Sequence, residues 1–539
     1  MKTLKISKEI VAKSLYRGSR RLFHIEDKKG STKLWGGRFD KEVSQSILKW
    51  TESISIDSHI VVEDLWGSIS HVSMLGHQKI VPWEKANKII PTLLRYQNEW
   101  IDGKWKLTPE NEDVHLNVEG KLIKDLGMDI GGRMHTCRSR NDQVCLDSRL
   151  YTRNKLLTLR SLIVPLIEEF LKKAETGYED VMPSYTHVQH AQPISVAFWL
   201  SHYAAAYLRD LKRLKNAFDT ADLNPLGSGA IAGSSFNLDR MMTTKLMGFQ
   251  KVQEHSLDAC SARDFLLEST SSVAAYYSTC SRLAEEFILW SSYEFQTITL
   301  DDGFAMGSSM MPQKKNPGML ELIRGRSGRV NGLANAALTM IKGLPSGYNR
   351  DFHEDKEITV EIFDMAIRMT EALPSLIKST RLNLDRMATL AGKNFSTATE
   401  LANYLVLIHN VPFREAHHIV GALVGELYRK GENFENFQYC YDHLKKNNII
   451  APEADVKRVL DAKSVMMSYN ALGGTGPIAT KNTIKNLWSD LEEHKNVLAV
   501  DQHRVTEAYN TARTIASQVG DAKSYEDYCS IIQRNLSKH

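Results

Sequence analysis

Cysteine is scarce in this sequence, and its placement follows no recognisable pattern. The chain has six cysteines among 539 residues, with no C-x-x-C pair. Neither a disulfide framework nor a zinc site of paired thiolates is indicated, and reduced intracellular thiols are expected. A run apolar enough to cross a membrane is also missing. The long stretch 183–208 has no Asp, Glu, Lys or Arg, but it carries three histidines and two glutamines, which would be costly in lipid.

Charge of one sign is not in excess, and two common catalytic motifs are missing. The 68 basic and 64 acidic residues give a formal net charge of +4, which is too balanced to indicate nucleic-acid binding. The chain has neither a G-x-S-x-G elbow nor a GK[ST] phosphate loop, which argues against acyl hydrolysis and nucleotide hydrolysis. The segment "GSGAIAGSS" at 227–235 has the wrong glycine spacing for a dinucleotide fingerprint and follows no strand signal.

Helical periodicity is the main feature that is present. Apolar residues recur every three or four positions in five long segments, at 156–174, 194–218, 262–294, 319–342 and 356–379. They predict an all-α fold with a long central helical bundle, which is flanked by two smaller helical domains and continues across subunit interfaces. The predicted parts are a basic N-terminal arm at 1–32, an N-terminal helical domain at 33–140, the bundle domain at 141–385, a C-terminal helical domain at 386–490 and a helical extension at 491–539.

The basic arm at 1–32 leaves two interpretations open. It is an organelle transit peptide, or an arm that clasps a neighbouring subunit, and its acidic residues favour the second. We therefore expect a cytoplasmic protein, with organelle import as the alternative.

Polar segments interrupt the helical pattern and carry the groups that could do chemistry. Each alone is typical of a solvated loop, but together they predict the walls of one polar pocket. They are "EDVHLNVEGKL" with His115, "GGRMHTCRSRNDQV" with Arg140 and Asn141, "PSYTHVQHAQP" with Thr186 and His187, "GSSMMPQKKNPGMLEL" with Ser308, Lys314, Asn316 and Glu321, and "YNRDFHEDK" with Tyr348, His353 and Lys356. No metal is predicted, because His187 and His190 have no evident third ligand.

These side chains suit proton removal from a carbon next to a carboxylate. General acid–base groups supply about 10²–10⁴-fold in rate, so cations and N–H donors must stabilise most of the developing charge. We expect the strip at 307–322 to close over the substrate, with Ser308 as proton acceptor and Lys314 and Asn316 as donors to the carboxylate. A free serine is a poor base, so cations and dipoles must favour its alkoxide.

The strip "GSSMMPQKKNP" resembles the signature loop of the fumarase/aspartase superfamily, in the form found in argininosuccinate lyases. Further stretches match in order and spacing over about residues 33–490: "KLWGGRF", "HTCRSRNDQV", "YTHVQHAQP", "NPLGSGAIAG" and "LGGTGP". The resemblance implies a homotetramer with a central twenty-helix bundle, active sites built from three subunits, and no cofactor. It also implies cleavage of argininosuccinate to arginine and fumarate, the last step of arginine biosynthesis.

Residue roles follow from the same resemblance. Ser308 would take the Cβ proton, although either Ser308 or His187 could be the base, and Glu321 would orient His187. Lys314 and Asn316 would stabilise the aci-carboxylate intermediate. The residues expected to hold substrate are Ser53, His115, Arg140, Asn141, Thr186, Tyr348, His353 and Lys356.

One departure from the family pattern concerns substrate binding. His353 stands where the family has a glutamine, and an imidazole cannot present both a carbonyl and an amide. Two alternatives therefore stay open: a related lyase for another succinyl-amine, and a crystallin-like relative without activity.

Overall fold

The computed structural model describes residues 44–537, and the chain divides into two compact units, Met1–Glu52 and Ser53–His539. Within the first unit the described part is Ser44 and helix α1, Gln45–Thr51, which begins where the Ser44 hydroxyl accepts the backbone N–H of Ile47. The predicted arm at 1–32 and the "KLWGGRF" stretch lie outside the described residues.

The second unit begins with short and medium helices that precede the long ones. Two short helices flank this region: α2, Ile54–Asp57, and α6, Met128–Gly131. Between them lie α3, Val61–His77, α4, Trp83–Ile101, and α5, Val114–Leu126, with a 3-10 turn at Pro109–Asn111. Helix α3 is buried along almost its whole length, so it forms the inner layer of this region.

Five long helices form the centre of the unit, as the periodicity predicts. They are α7, Arg140–Ala174, α8, Val196–Ala221, α11, Asp264–Ser291, α12, Gly318–Ile341, and α13, Glu354–Ser379. Helix α7 packs on α8 and α13, and α11 packs on α12 and α8. The all-α fold with a long helical bundle is therefore confirmed.

The first long helix begins earlier than the apolar pattern indicates. Ser139 and Asp142 form a capping box, so the helix starts at Arg140 although its first turn is polar. Arg140 and Asn141 thus lie in a helical turn and not in a loop, which corrects the sequence interpretation of that segment.

Short strands connect the long helices in four two-stranded pairs. The longest pair is an antiparallel hairpin of β1, Val181–Thr186, and β2, Gln189–Ser195, so the expected loop at "PSYTHVQHAQP" is a hairpin instead. The others are β3 with β4, Leu223–Asn224 and Lys251–Val252, β5 with β8, Ile298–Thr299 and Arg381–Leu382, and β6 with β7, Met306–Gly307 and Lys315–Asn316. The small helices α9, Arg240–Leu246, and α10, Ser256–Ser261, lie between the long ones.

The C-terminal part is again helical. Its helices are α14, Leu384–Ala391, α15, Ala398–His409, α16, Phe413–Arg429, α17, Phe437–Lys446, α18, Glu453–Leu460, α19, Ala462–Ser468, α20, Pro477–Gln518, and α21, Tyr525–Leu536. Helices α15 to α18 share a separate apolar core, whereas α20 and α21 pack into the main one. The domain boundaries drawn from the sequence stay predictions. Of the helices in the described part, none is both long and apolar enough to span a lipid bilayer.

Candidate active site

A buried ion pair between Lys356 and Asp57 joins segments distant in sequence. Lys356 lies in the first turn of α13, and its ammonium contacts the Asp57 carboxylate at the end of α2. The Ser53 hydroxyl donates to Asp57 Oδ2 at 2.8 Å, the Val114 N–H donates to the same oxygen at 3.1 Å, and Lys356 Nζ lies 3.5 Å from Ser53 Oγ. Asp57 therefore holds Ser53 and Lys356 side by side.

His115 is buried among carboxylates beside this pair. Its Nε2 lies 2.7 Å from Asp147 Oδ2 and 3.8 Å from Asp64 Oδ1, and its Nδ1 lies 3.7 Å from Asp113 Oδ2. Burial opposes a charge on the ring, but these carboxylates prevail and raise the pKa of His115 to about 9. His115 is therefore an imidazolium at neutral pH. Asp113 also lies 3.6 Å from the Arg140 Nε, which connects His115 to the start of α7.

Asp64, His115 and Asp147 form the type of cluster that can hold a metal ion, since their ligand atoms lie within 4.8 Å of one another. The 2.7 Å separation of His115 Nε2 and Asp147 Oδ2 is that of a charged hydrogen bond. In this structure the three side chains therefore form an ion-pair network.

The glycine-rich segment at 227–235 packs against the first turn of α7. Asn141 Nδ2 donates to the Ala230 carbonyl at 3.2 Å, and the buried Asp142 carboxylate accepts the N–H groups of Gly227 at 3.0 Å and Gly229 at 2.9 Å. Both glycines have positive φ, 93° and 60°, which only glycine adopts easily. This segment thus fixes Asn141 and is no nucleotide loop.

Tyr348 precedes α13 and belongs to a small cluster of aromatic and charged side chains. Its ring contacts Phe352 with centroids 5.7 Å apart, and Phe352 lies 3.9 Å below the guanidinium of Arg263. Arg263 in turn donates to Asp355 at 2.7 Å. Burial raises the pKa of Tyr348, so its hydroxyl stays protonated and can donate to a substrate oxygen.

His353 is half-buried and neutral at physiological pH. Burial, Lys356 and Arg350 together lower its pKa to about 4. The ring therefore offers one N–H donor and one nitrogen acceptor to a ligand, and no charge.

His187 occupies the tip of the β1–β2 hairpin. His187 and Val188 have φ of 55° and 57°, which makes the turn type I′, and both are exposed together with Thr186. Behind the tip, the Tyr185 ring packs on Trp290 with centroids 4.9 Å apart. The hairpin is thus anchored at the C-terminal end of α11, and its two predicted site residues face outward.

The Ser308 loop is closed at its base by the β6–β7 pair, in which Met306 faces Asn316. Within the loop, Ser308 Oγ accepts the backbone N–H of Met310 at 3.3 Å and of Met311 at 3.0 Å. Two N–H groups directed at one hydroxyl oxygen stabilise negative charge on it, which is what a serine base requires.

Lys314, Asn316 and Glu321 come after Ser308 in the sequence. They line a cavity of about 1210 Å³ together with Arg381 and Arg386. Lys314 and Glu321 are exposed, and Glu321 lies in the first turn of α12.

The predicted site residues form two sets at opposite ends of α11. Ser53, His115, Arg140, Asn141, Tyr348, His353 and Lys356 gather at its start, where Arg263 caps the helix. The hairpin lies at its end, where Trp290 packs on Tyr185, and Tyr293 beyond the helix lines the same cavity as Lys314. A helix of 28 residues is about 42 Å long. No hydrogen bond or ion pair connects the two sets within residues 44–537.

Three buried carboxylates near these residues are not identified by the sequence motifs: Asp57, Asp64 and Asp147. Each accepts a hydrogen bond or ion pair from a neighbouring site segment. The available signal is an Asp at a position where helical periodicity predicts burial, since a buried carboxylate needs a partner.

Two family models match this chain. The family model described as "Lyase" matches residues 37–332, and the model for the argininosuccinate lyase C-terminal region matches residues 395–467. An argininosuccinate lyase of Lactococcus lactis is 40% identical over 85% of this chain and 99% of its own length. An argininosuccinate lyase of Carboxydothermus hydrogenoformans is 43% identical over 83% of this chain and 97% of its own length.

The fold is also similar to that of a solved structure. The crystal structure of EDDS lyase in complex with formate has a TM-score of 0.77 and 27% identity, covering 89% of this chain and 93% of that one. Identity above two fifths over most of both chains, together with the match to the C-terminal region, decides the family. This chain belongs to the argininosuccinate lyase family, a group of carbon–nitrogen lyases in the fumarase/aspartase superfamily.

Proposed function

We propose that this protein cleaves argininosuccinate to arginine and fumarate by anti β-elimination, the last step of arginine biosynthesis. The observation that carries the proposal is the Ser308 loop, in which a hydroxyl oxygen accepts two backbone N–H groups next to Lys314 and Asn316. The elimination balances without an oxidant, a reductant or a group carrier, so the proposal includes no cofactor.

The first step removes the Cβ proton. Ser308 acts as the base, and the N–H groups of Met310 and Met311 favour its ionised form. The electron pair left on carbon spreads into the neighbouring carboxylate, giving an aci-carboxylate. Lys314 and Asn316 donate to its oxygens, where the charge develops.

The second step breaks the bond between Cα and nitrogen. The electron pair of the aci-carboxylate forms the double bond of fumarate, and the guanidino nitrogen leaves with a proton from His187. Glu321 orients the His187 ring in this proposal. No hydrogen bond joins Glu321 to His187 in the described part of one chain, so the pair would form between subunits.

The set at the start of α11 holds the substrate. Lys356 and Arg140 supply positive charge for its carboxylates, and Ser53, Asn141 and Tyr348 supply neutral donors. Thr186, at the other end of α11, and His353 are the remaining residues that contact the substrate. His115 acts at a distance, because its charge offsets Asp113 and Asp147.

A site of this kind requires more than one subunit, because about 42 Å of α11 separates its two sets. We propose a homotetramer whose bundles pack together and bring the Ser308 loop and the His187 hairpin of some subunits to the Lys356 set of others. Helix α12 offers a suitable face: Leu322 and Leu338 are 48% and 49% exposed, and Gly325, Gly328 and Gly332 leave open space for another helix.

Incubation of the purified protein with argininosuccinate tests the proposed activity. We expect arginine and fumarate in equal amounts, measured by chromatography and by the ultraviolet absorbance of fumarate. A folded oligomer that releases no fumarate would refute the proposal.

A second candidate is a related lyase for another succinyl-amine. It is favoured by His353, which presents one hydrogen-bond donor where a glutamine would present two, and by the similarity to EDDS lyase. Offering argininosuccinate and N-succinylated amines in competition distinguishes the two, because the physiological substrate has the higher kcat/KM.

A further inference from the structure

The last part of the chain folds back over the N-terminal helices. Tyr528 of α21 is fully buried, and its hydroxyl donates to the Ser73 carbonyl of α3 at 3.3 Å. Tyr525 donates to the carbonyl of His77, the last residue of α3, at 2.5 Å. We use the term C-terminal clasp for residues 501–536, which comprise the second half of α20 and all of α21.

Two glycines of the body of the protein are fitted closely to this clasp. A Cβ on Gly76 of α3 would lie 2.8 Å from the Tyr528 Cζ. A Cβ on Gly248 would lie 2.8 Å from the Ala508 Cβ, and Gly248 has a positive φ of 64°. Both distances are shorter than any real Cβ contact, so the surface beneath the clasp is shaped for it.

Buried charges of the long helices find their partners on the clasp. Arg160 of α7 donates to Asp501 at 2.8 Å, and both side chains are largely buried. Asp222 accepts from Arg504 at 2.5 Å and from Arg153 at 3.1 Å. Removing the clasp partners would leave these charges buried and incompletely paired, which is costly.

The same helix that the clasp covers also holds the substrate-binding segment. Tyr509 packs edge-on against Trp66 in the middle of α3, with ring centroids 5.1 Å apart. Further along α3, Ser68 accepts from Arg138 at 2.9 Å, and His71 Nε2 donates to the Thr136 carbonyl at 2.8 Å.

Another contact of α3 reaches the start of α7. Asp64 Oδ1 accepts from Gln143 at 2.5 Å. Helix α3 therefore binds segment 136–143 at three points, and that segment includes Arg140 and Asn141.

We propose that the C-terminal clasp is a positioning element for substrate binding. It fixes α3, and α3 fixes the segment that presents Arg140 and Asn141 to the substrate. Tyr509 is then a positioning residue. It lies outside the site and acts on it through its contact with Trp66 of α3. The catalytic consequence rests on the proposed function, whereas the mechanical link from clasp to α3 does not.

Three variants of the full-length protein test this link. Tyr509→Ala removes the ring from α3, Tyr509→Phe keeps the ring, and Tyr428→Ala is the matched control because Tyr428 is an exposed tyrosine of α16 remote from α3. Hydrogen exchange by mass spectrometry reports on α3 and segment 136–143, and steady-state kinetics with argininosuccinate reports KM and kcat.

For Tyr509→Ala we expect faster exchange in α3 and in 136–143, and a KM raised roughly fivefold with kcat within about twofold, because Arg140 and Asn141 bind ground state and transition state alike. Tyr509→Phe and Tyr428→Ala should resemble wild type.

Unchanged exchange in α3 of Tyr509→Ala would overturn the proposal that the clasp fixes α3. Faster exchange with an unchanged KM would overturn its role in substrate binding. If wild type has no activity on argininosuccinate, the proposed function fails while the exchange result still decides the clasp.

Discussion

The Ser308 Oγ accepts the backbone N–H of Met311 at 3.0 Å within a loop closed by two short strands. The contact places the partial positive charge of a peptide group at the oxygen expected to remove a proton. Lys314 lies six residues after Ser308, so in the proposed mechanism one loop supplies both the base and a cation for the intermediate.

Replacing Ser308 by alanine tests this assignment. We expect Ser308→Ala to lower kcat by about 10³-fold, because general acid–base groups contribute about 10²–10⁴-fold, with an unchanged substrate affinity. Ser309→Ala is the matched control, since Ser309 is the adjacent exposed serine, and it should retain kcat within a small factor. Single-turnover kinetics and substrate binding by calorimetry separate the two effects. A Ser308→Ala variant of near-normal kcat would exclude this residue as the base.

Replacing Lys356 by methionine should destabilise the protein. Asp57 would then be a fully buried carboxylate with no cation, although Ser53 and Val114 still donate to it. Removing one partner of a buried ion pair costs about 3–5 kcal/mol.

A second substitution separates stability from binding in that pair. Asp57→Asn in the same chain removes the unpaired charge, so we expect the double variant to recover most of the lost stability in urea denaturation but no turnover. Recovery of both would show that Lys356 serves the fold alone.

The ion pair of His115 predicts a pH-dependent stability. Its folded-state pKa of about 9 lies above the unfolded value of 6.5, so its contribution is fully present below about pH 6.5 and is lost as the pH rises through 9. The loss is up to about 3 kcal/mol at 1.36 kcal/mol per pKa unit. The facing groups are Asp64, Asp113 and Asp147, and burial raises the pKa of Asp147 to about 7, so its own titration lies lower.

Urea midpoints between pH 7.5 and 9.5 measure this effect. We expect the midpoint of the wild type to fall across that range, and that of His115→Gln to start lower and change less. Parallel curves for the two proteins would contradict the charged state of His115.

Helical periodicity predicts the bundle well, because each long helix buries an apolar stripe whose spacing is visible in the sequence. It fails at Arg140 and Asn141, where capping by Ser139 and not an apolar stripe starts the helix. It fails also at the hairpin, since Thr186 and His187 carry no strand alternation and the turn depends on two residues with positive φ.

The residue types of the candidate site are visible in the sequence, whereas its division between subunits is implied only by the family resemblance. Motifs identify Ser308, His187 and Lys356 by residue type and spacing. Their separation along α11 depends on the direction of each helix in the bundle, which a single sequence does not encode locally. The buried carboxylate Asp57 was missed because its role depends on Lys356, about three hundred residues away in the chain.

His353 should tune substrate affinity without taking part in proton transfer. Its pKa of about 4 keeps the imidazole neutral above about pH 5, so KM should show no His353-dependent change between pH 5.5 and 8. We expect His353→Gln to raise kcat/KM for argininosuccinate about two- to tenfold, the range of one added hydrogen bond. A decrease for argininosuccinate, with an increase for another succinyl-amine, would favour the second candidate function.

The separation of the two sets along α11 predicts complementation between inactive variants. Ser308→Ala damages the set at one end of the helix, and Asp57→Asn with Lys356→Met damages the set at the other. If each site takes its two sets from different subunits, a mixed oligomer contains some sites in which both sets are wild type. When equal amounts mix at random, about one quarter of all sites have both sets wild type.

We therefore expect about a quarter of wild-type activity after the two inactive proteins are unfolded together and refolded as a mixture, measured by fumarate release. Refolding each variant alone is the control and should give none. A mixture as inactive as its components would mean that one chain supplies both sets, which contradicts the shared site.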